Sequence, residues 1–110
     1  MITAPDLEEL SSEYFTPLLG STFALEGEDG TVISTRLLSC VESVASTMPG
    51  SPRRAFTLIL EATGAVAATL RGGSFLLQHD AMGTIGPLYV ERILSVTAGT
   101  RLPAFQVIFN

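Results

Sequence analysis

The chain has 110 residues, of which 46% are hydrophobic and only 15% charged, with a formal net charge of −5 at pH 7. That length fits one domain with a real core, and the apolar content excludes intrinsic disorder. No apolar run reaches the roughly 18 residues of a membrane span, and Asp6, Glu8, Glu9 and Glu13 argue against a secretory signal at the N-terminus.

Charge is distributed unevenly. All six basic residues are arginines, whereas residues 1–30 carry −7 and residues 31–110 carry +2. No basic stripe is available to neutralise phosphates, so nucleic acid is not an expected partner. The low charged fraction implies a surface rich in small polar and aliphatic atoms, of the kind that a protein partner or a second copy covers.

Residues 4–14 read as a short helix, with Thr3 and Asp6 in capping-box positions, Pro5 in the first turn, and Leu7, Leu10 and Tyr14 at helical spacing. A stripe this short needs a surface to pack on. Pro17 and Gly20 then end the helical segment, dividing the single domain into residues 1–18 and a β-rich core, 19–110. Thr22 to Glu26 alternates as a strand, with Phe23 and Leu25 on one face. Gly27-Glu28-Asp29-Gly30 carries an Asp-Gly hairpin signal. Thr31 to Val44 fits two periods. Ile33, Leu37 and Val41 share a strand face, and together with Val44 and Met48 they also form a helical stripe. The preceding hairpin decides for a strand.

Pro49, Gly50, Ser51 and Pro52 mark a loop. Ala55 to Ala62 alternates with Phe56, Leu58 and Leu60 inward and Thr57, Ile59 and Glu61 outward. Val66 to Leu70 is a brief strand candidate ended by Gly72-Gly73. Phe75 to His79 is a further strand; Met82-Gly83 and Gly86-Pro87 are turn signals. Leu88 to Leu94 resumes β character, and Phe105, Val107 and Phe109 close the chain as an inward-facing strand. Six or seven short strands with one short N-terminal helix predict a mainly β fold, an antiparallel sandwich or small barrel.

Catalytic material is scarce. His79 is the only histidine, and Cys40, the lone cysteine, reads as an inert core residue, so neither a multi-histidine metal site nor a cysteine-rich one is expected. No Gly-x-Ser-x-Gly elbow occurs, and Asp80 beside His79 is not a triad. Arg71-Gly72-Gly73 offers backbone donors, but two glycines in a turn are not a phosphate loop. The candidates for a ligand or an interface are therefore His79, Arg71, and the N-terminal stripe of Leu7, Leu10 and Tyr14, with no cofactor expected.

The order of several landmarks also carries a resemblance. Phe15-Thr16-Pro17-Leu18-Leu19-Gly20, Phe23, Ala55-Phe56-Thr57-Leu58, Gly73-Ser74-Phe75-Leu76-Leu77-Gln78-His79, Gly83, Pro87-Leu88-Tyr89-Val90 and Phe109-Asn110 stand in sequence. Over residues 15–110 they resemble a small bacterial family of β-rich proteins that is a domain of unknown function. Gln78-His79 fills the place of that family's glutamate- or glutamine-histidine pair; the segment 31–48 and Ile85-Gly86 depart from its pattern. The resemblance assigns no reaction to His79. Genes of the family often lie near those of phage-tail-collar-like proteins, which implies a part in an extracellular or tail-like assembly.

The function expected is a non-enzymatic interaction or structural module, a subunit or adaptor that docks through its acidic N-terminal segment and open sheet edges. Such a protein acts in the cytoplasm or is exported within an assembly. A small-ligand barrel lined by Phe56, Phe75 and Phe105 is the second expectation. An enzyme using His79 with a carboxylate is the third.

Overall fold

The computed structural model describes residues 10–43, 55–64, 66, 70–97, 99 and 101–109. Six strands, β1 (Thr22–Gly27), β2 (Val32–Ser43), β3 (Ala55–Ala62), β4 (Gly72–His79), β5 (Gly83–Ile93) and β6 (Ala104–Phe109), form a closed barrel in the order β1-β2-β3-β6-β5-β4. Every neighbouring pair is antiparallel. The expected mainly β fold is thus a barrel, and closure removes the open sheet edges that a sandwich would present. No helix among the described residues is long and apolar enough to cross a membrane.

Local chemistry explains the hairpin between β1 and β2. Gly30 takes φ +86°, which a side chain would disfavour, and its N–H donates to the Gly27 carbonyl at 3.1 Å. The Thr31 N–H donates to Asp29 Oδ1 at 2.9 Å, and this bond holds the exposed Asp29 carboxyl below its ordinary pKa. The segment after the hairpin is a strand, as its turn signal predicts.

Two bulges change what alternation predicts. Pairing of β2 with β3 shifts between Leu37 and Ser39, so one extra residue enters β2 and the faces exchange. Ile33, Thr35 and Leu37 point inward, whereas Val41, expected to share their face, is 60% exposed. The inward Thr35 hydroxyl is satisfied by donating to the Phe23 carbonyl at 2.8 Å. In β5, Gly86 and Pro87 stand opposite Leu76 alone, so the expected turn there is a bulge inside a continuous strand.

The Gly72-Gly73 pair is also reassigned. It opens β4 and pairs with Glu91 and Val90, where a turn is expected from sequence. A Cβ on Gly72 would collide with the Val90 carbonyl oxygen, so a close crossing of two strands demands glycine here. Val66 and Leu70 lie outside any strand and pack on the core; the rest of the strand expected between them is outside the described residues.

The interior follows the expected alternation on β1, β3 and β6. Phe23 and Leu25, then Phe56, Leu58 and Leu60, then Phe105, Val107 and Phe109 are all buried. Phe15 packs against Phe23, Phe56 and Phe109 at ring separations of 6.3, 5.7 and 5.7 Å, closing one end of the barrel. Full burial of one such side chain contributes about 1.5–3 kcal/mol. Leu10 joins this core at 0% exposure.

The described part of the N-terminal segment holds two single 3₁₀ turns, Ser12–Tyr14 and Thr16–Leu18, in place of a continuous helix reaching Tyr14. Pro17 lies within the second turn, where its missing N–H is tolerated.

Deleting residues 106–110 removes most of a strand that pairs with both β3 and β5. The expected outcome is loss of the cooperative thermal transition, read by circular dichroism. A deletion variant with an unchanged melting temperature would contradict the role assigned to β6.

Candidate functional site

His79 ends β4 and is held on every side. The Ala81 N–H donates to its Nδ1 at 2.9 Å, so that nitrogen is an acceptor and the ring proton sits on Nε2. Nε2 lies 2.9 Å from Ser21 Oγ, and Ser21 uses its own proton to donate to the Leu18 carbonyl. The relay therefore runs from Ala81 through His79 and Ser21 to Leu18. A nucleophilic serine needs the opposite arrangement, with its proton directed at an imidazole acceptor. A tilted contact with the Phe23 ring, 4.5 Å between centroids, completes the setting. The imidazole fastens the turn after β4 to the segment before β1.

The remaining candidates separate. Arg71 is exposed, and its carbonyl accepts from the Arg92 N–H at 2.8 Å, extending the β4–β5 ladder. With Gly72 and Gly73 in that ladder, no anion-binding turn forms. Leu10 is buried and Tyr14 is 43% exposed, so these two do not share one docking stripe; Leu7 lies outside the described residues. The described N-terminal turns are pinned to β2 through Ser12, whose hydroxyl donates to Glu42 Oε1 at 3.1 Å. Its carbonyl accepts from Thr16 Oγ1 at 3.0 Å and from Cys40 Sγ at 3.8 Å. Burial raises the Cys40 thiol above its ordinary pKa, which keeps it protonated and weakly nucleophilic at neutral pH.

Glu61 is a carboxylate that alternation places outside and the fold buries, at 3% exposure. Arg36 Nη2 approaches its Oε1 at 3.5 Å, while Oε2 has no hydrogen-bond partner. Nothing in the spacing of β2 and β3 residues signals this pair, because it depends on the cross-strand register that sets Arg36 opposite Glu61. Phe56, Phe75 and Phe105, expected to line a ligand cavity, are buried in the core, and Phe56 stacks on Phe109 at 4.5 Å.

The strand register assembles a different surface. Across β2, β3 and β6, the pairs Val41–Thr57 and Thr57–Ile108 place three outward residues in one row, and β5 contributes Tyr89 at its continuation. Val41, Ile108 and Tyr89 are 60%, 54% and 70% exposed. The adjoining row holds Ser39, Ile59, Gln106 and Glu91, with Gln106 Nε2 donating to Glu91 Oε1 at 3.0 Å. Val41, Thr57 and Ile108 thus form a partly apolar row across three strands, and the exposed Tyr89 of β5 lies where the same register would continue.

These features define a class: a small antiparallel six-stranded barrel with an aromatic core, a part-buried histidine bonded through both ring nitrogens, and exposed apolar residues on its outer face. The family model described as Domain of unknown function (DUF6916) matches residues 10–109, and the chain belongs to that family. Comparison with curated proteins gives no match, and comparison with solved structures gives none either.

Two measurements check the site's assignments. Replacing His79 by Gln breaks a relay of part-buried and exposed hydrogen bonds and is expected to lower stability by about 1 kcal/mol, with partner binding retained by the folded fraction. A His79→Gln protein of full stability but no function would reverse the assignment. Replacing Arg36 by Ala strands the Glu61 carboxylate and is expected to cost about 2 kcal/mol in urea unfolding. The Arg36→Ala/Glu61→Gln double variant should be more stable than Arg36→Ala alone; the reverse order would show that the pair does not compensate the buried charge.

Proposed function

We propose that this domain is a non-enzymatic protein-interaction module, a subunit or adaptor of a larger assembly, and that it docks through the outer face of β2, β3, β6 and β5. The observation that carries this reading is the row of Val41, Thr57 and Ile108, with exposed Tyr89 on the neighbouring strand β5. Aliphatic and aromatic side chains exposed on adjacent strands give a partner a continuous dry contact, and tyrosine at such a site is a frequent energetic anchor. The scarcity of charge around the row lowers the desolvation cost of covering it.

The hydrogen bonding of His79 supports the same reading. Both ring nitrogens are engaged in joining segments of the fold, and the hydroxyl beside it is oriented away from nucleophilic use. A tail-like or surface assembly of the kind implied by the family resemblance suits a compact module with one docking face. The acidic N-terminal residues Asp6, Glu8 and Glu9 then add long-range steering toward a basic partner.

The test is association measured by size exclusion with light scattering, for the chain alone and mixed with the products of neighbouring genes. A defined complex or oligomer is expected. The Tyr89→Ser/Ile108→Ser variant should weaken it by about 1–2 kcal/mol for each side chain while its melting temperature stays within a few degrees. A monomer that binds none of these proteins at high concentration, or a complex indifferent to the double substitution, would remove the proposal.

A further inference from the structure

The barrel closes least completely between β5 and β6. Their ladder consists of Glu91–Gln106, Arg92–Phe105 and Ile93–Ala104, three pairs against the six between β3 and β6. The same register, continued, sets Tyr89 opposite Ile108, and this pair is not formed. The Gly86-Pro87 bulge of β5 lies next to this break, and Pro87 has no N–H to extend a ladder.

Main-chain direction at the seam follows from two hydrogen bonds. The Arg92 N–H donates to Arg71 on the β4 side, so alternation turns the polar groups of Glu91 and Tyr89 toward β6. The Ala62 N–H donates to the Pro103 carbonyl, so Ala104, Gln106 and Ile108 turn theirs toward β5. Tyr89 and Ile108 thus aim a donor and an acceptor each into a seam whose ladder has stopped. A groove of about 290 Å³ lies there, lined by Leu88, Tyr89, Glu91, Gln106, Val107 and Ile108. Leu88 and Val107 are buried residues of the core cluster or its wall, so the groove reaches down to the apolar interior.

Resting on the interaction reading above, we propose that this seam receives an extended strand of a partner protein. The strand continues the main-chain hydrogen bonding at Tyr89 and Ile108 and seats alternate apolar side chains against Leu88 and Val107. Unpaired ladder positions select an extended backbone, since a helix has its own N–H and C=O groups engaged internally. Glu91 is the one charged residue of the lining, which favours a basic side chain in the incoming strand. A second copy of a chain with net charge −5 is the poorer electrostatic match.

The experiment pans a phage-displayed random dodecapeptide library on the immobilised full chain. The best peptide is then synthesised with and without N-methyl groups on alternate amides. Selected sequences should alternate apolar and polar residues and carry a basic residue. N-methylation in one alternate register should weaken binding at least about tenfold, and the Tyr89 and Ile108 amides should gain hydrogen-exchange protection only with the unmethylated peptide. A Cys40→Ser/Tyr89→Cys/Ile108→Cys variant, oxidised to clamp the seam, should lose the peptide and regain it on reduction.

Failure to enrich any peptide, or equal binding of both methylated registers, overturns the strand proposal. If methylation has no effect but Tyr89→Ser/Ile108→Ser abolishes binding, the interaction reading stands without the strand; if neither matters, both fall. Self-association that protects the Tyr89 and Ile108 amides without peptide assigns the seam to a second copy and likewise ends the proposal.

Discussion

Strand β6 bears the closure of this barrel, because one of its edges takes six residue pairs from β3 while the other takes three from β5. Phe105, Val107 and Phe109 project from it into the interior, so the same short segment supplies both main-chain closure and core volume. A six-stranded barrel has a narrow interior, and side chains from facing strands fill it. The ring of Phe15, brought in by the 3₁₀ turns before β1, packs where Phe23, Phe56 and Phe109 converge. Once that end is sealed by apolar atoms, the polar groups of the N-terminal turns must find partners on the rim. Ser12 and its neighbours on β2 meet that need.

Interruptions of regular pairing shape the exterior. The extra residue in β2 near Leu38 turns Val41 outward, and the β5–β6 ladder ends at Glu91, close to the Gly86-Pro87 bulge. The β2 bulge is a local change of one residue, yet it alters which side chains solvent meets several residues away. Without the β2 bulge, alternation from Ile33 through Leu37 would have turned Val41 inward.

Polar residues in and near the core divide into satisfied and strained examples. Thr35 donates to the Phe23 carbonyl, and His79 joins Ala81 to Ser21, so each returns the bonds lost on leaving water. Glu61 is different: a half-exposed arginine faces one oxygen and the other has no partner. Burial of an incompletely paired carboxylate opposes folding, and the surrounding apolar packing must offset it.

Much of the strand architecture was legible in the amino-acid order, because two-residue alternation and turn chemistry act over neighbouring positions. Phe56-Leu58-Leu60 and Phe105-Val107-Phe109 declare their inward faces, and Gly27 to Gly30 declares its hairpin, with no reference to distant segments. What the tertiary structure alone decided is non-local: barrel closure, the burial of Glu61, the close approach of β4 to β5 at Gly72, and the row joining Val41, Thr57 and Ile108. Those depend on register between residues as far apart in the chain as Ala24 and Gln78, and a single inserted residue exchanges every subsequent face. Sequence periodicity determines which side chains can share a face; only the folded ladder determines which of those faces meet.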